Sequence, residues 1–163
     1  MQIINSNAKE NKEIKLIPEM LNLLGCNKGN FKLLLKSMDY KIKEEGKFKY
    51  LEEGEGEVIV LLHGLFGALS NFKDLFEHFK GKYKVVIPML PLYDMPVATT
   101  GVKSLAKFVK KFIDHKGYEN VTLLGNSLGG HVSLVYYANW PEKVHSMVLT
   151  GSSGLYENAF GNQ

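Results

Sequence analysis

Val121-Thr122-Leu123-Leu124-Gly125-Asn126-Ser127-Leu128-Gly129-Gly130 is the stretch that decides the fold. Its first four residues form a short, mostly apolar run bounded by glycine, which reads as a buried strand. Leu128 to Ala138 reads as a helix, and Pro141 stops its continuation. Between them lies Gly125-x-Ser127-x-Gly129, so the order is strand, sharp turn, helix. In that setting a serine sits in a strained turn at the tip of the strand, with its hydroxyl exposed as a nucleophile. Glycines on either side let neighbouring backbone come close. The helix N-terminus behind the serine favours developing negative charge.

Working outward, the same alternation repeats. Val58-Ile59-Val60-Leu61-Leu62 is a continuous apolar run, as in a parallel-sheet strand buried on both faces. His63-Gly64 and a loop follow. Asn71 to Lys80 has helical spacing with Phe72, Leu75, Phe76 and Phe79 on one face. Val85-Val86-Ile87 is the next strand, closed by Pro88. Met89 to Gly101 carries two prolines, Pro91 and Pro96, and reads as loop. Val102 to Lys116 is an amphipathic helix, its lysines 103, 107, 110 and 111 toward water. Val144 to Leu149 is a last strand, followed by the loop Gly151-Ser152-Ser153-Gly154. Ahead of all this, Tyr40–Glu44 and Lys47–Glu52 read as a hairpin around Gly46. The expectation is an α/β fold with a mostly parallel sheet and a leading antiparallel hairpin.

Composition narrows the function. The chain has 163 residues, 45% hydrophobic and 23% charged, which suits about one globular domain. Its net charge of +3 is too mild to argue for nucleic acid. No apolar run approaches the roughly 20 residues of a membrane helix, and the first residues lack a signal-peptide layout. Cys26 is the only cysteine, so no internal disulfide is available and no Cys/His ligand cluster is present. These features point to a cytoplasmic protein with no metal and no cofactor. Gly125–Gly130 lacks the lysine of a phosphate-binding loop and the spacing of a dinucleotide fingerprint.

Residues 1–37 differ, being rich in Asn, Lys, Ile and Leu with weak periodicity. Two readings stay open. Met38 is the natural start and 1–37 is upstream sequence translated as protein, or 1–37 is a genuine helical extension. Residues 38–163 form the domain proper.

Together, Leu61-Leu62-His63-Gly64-Leu65-Phe66-Gly67 and Leu123–Gly130 resemble the α/β-hydrolase superfamily, over about Tyr40 to Gly154. The resemblance implies that Ser127 is the nucleophile. It also implies an oxyanion hole made by the N–H groups of Leu65 and Leu128, with Gly125, Gly129, His63 and Gly64 shaping the turns. The implied reaction is hydrolysis of a small ester, thioester or related carbonyl substrate through an acyl-enzyme. The G-N-S-x-G-G form and Ser70-Asn71-Phe72 are similar to carbon–carbon bond hydrolases of aromatic degradation, and equally to plain esterases. A serine at the nucleophile position argues against haloalkane dehalogenases and epoxide hydrolases, which carry aspartate there. A non-catalytic member of the fold, binding a small ligand or docking onto a partner, is the alternative.

Two departures from the family pattern stand out. Met89-Leu90-Pro91-Leu92-Tyr93-Asp94-Met95-Pro96 replaces the usual glycine-rich run, so no substrate contact carries over there. The family's chain order is Ser, then acid, then His. After Ser127 come only His131, one turn into the nucleophile helix, and His145, before any acid should appear. Glu142 and Glu157 are poor matches for the acid. The domain therefore reads as truncated before its last strands and cap, and 1–163 alone is expected to be weakly active or inactive.

The remaining features have plainer readings. His63 alone reads more readily as structural than catalytic. Cys26 reads as incidental, the helix lysines as a solvated face. Tyr136, Tyr137 and Trp140 read as packing residues, and Asp94 as a pocket residue or a turn cap.

Overall fold

The computed structural model describes residues 41–64, 72–92 and 101–154. Strands β1 (Lys43–Glu45) and β2 (Phe48–Glu53) form the leading hairpin, and β3 is Val58–Leu62. Helix α1 (Lys73–Phe79) leads to β4 (Lys84–Pro88), and α2 (Val102–Lys116) leads to β5 (Val121–Asn126). Helix α3 (Leu128–Asn139) and a short 3₁₀ turn, Pro141–Lys143, lead to β6 (Val144–Thr150). The strands make one six-stranded sheet in the order β1-β2-β4-β3-β5-β6. Pairings β3–β4, β3–β5 and β5–β6 are parallel, while β1–β2 and β2–β4 are antiparallel. The expected leading hairpin thus joins the parallel strands through β2.

Period-two alternation sorts the strand residues between two cores. On one face Tyr50, Val60, Leu62, Val86, Val121 and Leu123 are buried under α2 and α3. On the other Leu51, Ile59, Leu61, Val85 and Ile87 are buried with Phe72 and Phe76 of the α1 region. The central strands are covered on both sides, which is why they read as unbroken apolar runs. Helix α2 presents Leu105, Ala106, Val109, Phe112 and Ile113 inward. It ends at Gly117, whose φ of 64° closes the last turn in the left-handed conformation that suits glycine.

Among the described residues β6 pairs only with β5 and is an edge strand. Both its faces are half open, and Val148 is 46% exposed. The strands run slightly beyond their expected limits: β5 extends to Asn126 and β6 to Thr150, so their final pairing reaches the turn that carries Ser127. One expectation is corrected. Tyr136 and Trp140 stack edge to face as packing residues, but Tyr137 is 47% exposed, on the outer side of α3.

A polar cluster ties the hairpin to the end of α2. Lys116 Nζ bonds Tyr50 OH at 2.7 Å and lies 3.3 Å from both Glu45 and Glu52. Tyr118 donates to Glu52, and Lys43 pairs with it at 2.9 Å. Burial alone would raise the Glu52 carboxyl. The hydrogen bonds from Tyr118 and Lys43 and the charge of Lys116 outweigh it and hold the group at about 2.

Candidate active site

The chain changes direction between β3 and β5. From β3 it passes through α1 to β4 on one side of β3. It then crosses through α2 to β5 on the other side of β3. Helices α1 and α2 lie on opposite faces, which makes the carboxyl ends of β3 and β5 the switch point at which open α/β sheets bind ligands. Ser127 and Gly64 meet there, because Leu62 and Gly125 are register partners. A Cβ built on Gly64 would lie 3.2 Å from the Cβ of Ser127.

Ser127 is exposed, with φ 53° and ψ −116°. A non-glycine residue there stores about 1–3 kcal/mol of strain. The surroundings hold it in place. Its N–H donates to the Thr150 carbonyl at 3.0 Å. Its carbonyl accepts from the N–H groups of Gly130 at 3.1 Å, His131 at 3.3 Å and Ser153 at 3.3 Å. The Asn126 side-chain amide reaches across to Thr150 Oγ1 at 3.0 Å and to its carbonyl at 3.2 Å.

The glycines are there for space. A Cβ on Gly125 would fall 2.5 Å from the Gly129 carbonyl oxygen, and one on Gly130 would fall 2.5 Å from Ser152 Oγ. Their absence lets the first turn of α3 sit directly on the ends of β3, β5 and β6. Leu128 opens that helix. Its N–H is among the first-turn donors that have no acceptor within a helix, beside the serine and at the positive end of the helix.

His63 has a structural place. It is buried, 4% exposed, and its Nε2 accepts the Leu90 N–H at 3.1 Å. That leaves the proton on Nδ1, which donates to the Gly64 carbonyl at 3.0 Å. An Nε2 that accepts a hydrogen bond belongs to a neutral ring, and burial, only partly opposed by the Gly64 bond, pushes the pKa down in the same direction. It ties the end of β3 to the segment after β4, and both ring nitrogens are engaged in doing so.

Several expected or rejected partners can now be placed. Leu65, Asp94 and Glu157 lie outside the described residues, as do Ser70 and Asn71. His131 leans on the loop after β6: a Cβ at Gly154 would be 2.6 Å from its Cδ2. His145 lies in β6, at the amino end of the strand, and Glu142 in the 3₁₀ turn before it. Among the described residues no histidine or carboxylate bonds the Ser127 hydroxyl. No group of three or more His, Cys, Asp or Glu is arranged to hold a metal ion, and no helix is long and apolar enough to cross a membrane, again among the described residues. A cavity of about 500 Å³, lined by Glu57, Glu119, Thr122 and His145, opens at the amino ends of the strands, the opposite end of the sheet from Ser127.

Read from the sequence, neither Thr150 nor Ser153 has a role at the site, and Ser153 is only part of a loop. Nothing local marks them, since their partners lie more than twenty residues away and meet them only through the β5–β6 register.

The family profile described as alpha/beta hydrolase fold matches residues 57–162, and the chain belongs to that family. Among its relatives is a 2-hydroxy-6-oxo-6-phenylhexa-2,4-dienoate hydrolase of Comamonas testosteroni, 32% identical over 119 residues, covering 68% of this chain and 42% of the relative. A 2-hydroxy-6-oxononadienedioate/2-hydroxy-6-oxononatrienedioate hydrolase of Escherichia coli O81 (strain ED1a) is 30% identical over 122 residues, with the same two coverages of 68% and 42%. The chain thus spans well under two thirds of the length of these relatives. Among solved structures, MGS-MChE2, an alpha/beta hydrolase enzyme from the metagenome of lagoon sediments at Mar Chica, Morocco, superposes with a TM-score of 0.68. It is 57% identical, over 72% of this chain and 54% of that one.

Proposed function

We propose that this chain carries the nucleophile half of a serine hydrolase acting on a small carbonyl substrate. The observation that supports it most is the strained, exposed Ser127 at the carboxyl end of β5, against Gly64 and ahead of the α3 N-terminus. Ser127 Oγ attacks the carbonyl carbon and passes its proton to a base. The resulting oxyanion takes hydrogen bonds from the Leu128 N–H and, by family resemblance, from the Leu65 N–H. The tetrahedral intermediate collapses, the leaving group departs with a proton, and water then hydrolyses the acyl-serine. Among the described residues no histidine side chain hydrogen-bonds the Ser127 hydroxyl; the family chain order places the base and its acid after the nucleophile.

The substrate class is an ester, thioester or related carbonyl compound, and no cofactor takes part in the step. The two relatives named as hydrolases of 2-hydroxy-6-oxo acids make carbon–carbon bond hydrolysis the first subtype to assay. The setting is cytoplasmic, a reading supported by the lone Cys26. Residues 38–163 form the hydrolase portion. N-terminal sequencing of the native protein separates the two readings of 1–37.

The test is labelling of the full-length protein by a fluorophosphonate. Label recovered on the peptide containing Ser127, and lost in Ser127→Ala, is the expected result. Tight binding of a carbonyl ligand with no label would favour the non-catalytic alternative.

A further inference from the structure

We propose that Thr150 is a positioning residue for Ser127, acting through the side chain of Asn126. The proposal rests on the serine reading above and deepens it.

Asn126 and Thr150 are the last register partners of β5 and β6. The Asn126 amide donates to Thr150 Oγ1 at 3.0 Å and to the Thr150 carbonyl at 3.2 Å. That same carbonyl accepts the N–H of Ser127 at 3.0 Å. The two residues that enter the turn are therefore held by one residue of the neighbouring strand, one through its side chain and the other through its main chain. The loop that follows Thr150 closes the arrangement, since the Ser153 N–H holds the Ser127 carbonyl at 3.3 Å.

The physical need for such a device is clear from the backbone. Ser127 stands at φ 53° and ψ −116°, with no side-chain cap bond of its own. A strained residue keeps such angles only where its neighbours over-determine them. The main-chain bonds fix the ends of residue 127. The tilt of the peptide between residues 126 and 127 sets where the Ser127 Cα–Cβ bond points, and the Asn126 side chain adds two anchors to the single Ser127 N–H bond that holds that peptide. Its two bonds to Thr150 lie at an exposed sheet edge, where a hydrogen bond adds little to global stability. Their effect falls on the direction of the hydroxyl, where a displacement of about 1 Å can cost on the order of a hundredfold in rate.

The experiment compares full-length wild type, Thr150→Val, Thr150→Ser, Asn126→Ala and the Asn126→Ala/Thr150→Val double variant. It measures the rate of fluorophosphonate inactivation, kcat and KM on an activated ester, and the thermal midpoint. Thr150→Val is expected to slow inactivation and kcat by about tenfold or more, with KM and the midpoint nearly unchanged. Thr150→Ser restores the rate, because it keeps the hydroxyl acceptor. The double variant is no slower than Asn126→Ala alone, because both changes break the same contact. Asn126→Ala breaks that contact from the other strand and gives an independent reading should Thr150→Val fold poorly.

Wild-type rates in Thr150→Val would overturn the proposal. So would a loss in kcat that tracks a fallen midpoint, a rise in KM with kcat unchanged, or full multiplication of the two single effects. A wild-type protein that takes no label at Ser127 overturns the nucleophile reading itself, and the positioning role falls with it.

Discussion

Gly129 lies directly against the carbonyl group of Leu62, so closely that a Cβ on Gly129 would fall 1.9 Å from that oxygen. The contact is backbone on backbone, between the first turn of α3 and the end of β3. It locks the helix that follows Ser127 onto the strand that leads to His63-Gly64. The contact holds the serine turn against the end of β3.

Gly129→Ala therefore has no flexible side chain to push aside. The helix must lift away from β3, and the serine turn moves with it. The expected cost is about 1–3 kcal/mol, typical of forcing atoms into a packed site. Denaturant unfolding of Gly129→Ala against wild type measures it. Fluorophosphonate labelling should fall further than the stability loss accounts for. Wild-type stability and labelling in this variant would show that the contact has slack.

Ser127→Gly should separate stability from activity. Glycine occupies φ 53° without the steric penalty that a serine meets there. Relief of about 1–3 kcal/mol of strain is set against about 0.4–1 kcal/mol for the freer unfolded chain. The net expectation is a gain of about 1 kcal/mol with complete loss of labelling. The readout is the urea midpoint at constant m-value. A less stable glycine variant would mean that the serine is not strained.

His63 gives the first pH dependence. Burial depresses its folded pKa below the ordinary value near 6.5. The unfolded chain therefore takes up a proton before the folded one does, and stability present above about pH 6.5 declines as the pH falls. His63→Leu should flatten that limb of the stability curve. It should also lower stability at neutral pH by about 1–3 kcal/mol, since the buried Leu90 N–H loses its acceptor. Urea titrations at several pH values between about 7 and 5 test both claims.

Glu52 governs a second, more acidic window. Its folded carboxyl is held at about 2, against 4.5 for the ordinary group. The stability it contributes is complete above 4.5 and is lost as the pH drops toward about 2. Glu52→Gln leaves Lys116 with Glu45 as its one remaining carboxylate partner and breaks the charge-assisted bond from Tyr118. A loss of about 2 kcal/mol at neutral pH, with a shallower acid limb, is the expected outcome of thermal melts across that range. An unchanged acid limb would assign the acid sensitivity to other carboxylates.

Much of this was legible in the chain itself. The apolar run Val58–Leu62 declared a strand covered on both sides, and it lies in the middle of the sheet. The spacing of Leu105, Val109, Phe112 and Ile113 marked the inner face of α2. Gly125-Asn126-Ser127-Leu128-Gly129 announced a sharp turn between strand and helix, and Ser127 has the positive φ that such a turn requires. These features are local: side-chain periodicity and backbone sterics act over a few residues, so they are written in consecutive letters.

What the tertiary structure alone decided is which distant residues meet. His63 was ambiguous as a letter, and only the Leu90 N–H at one ring nitrogen and the Gly64 carbonyl at the other give it its structural place. Thr150 carries no motif, yet it holds both Asn126 and Ser127 because β6 lies beside β5 in one particular register. Gly129 needs its missing Cβ because of Leu62, a strand on the far side of two helices in the chain order. Such contacts depend on strand order and register. Those are set by the summed burial of two cores, a property of the whole sheet that no short stretch of sequence contains.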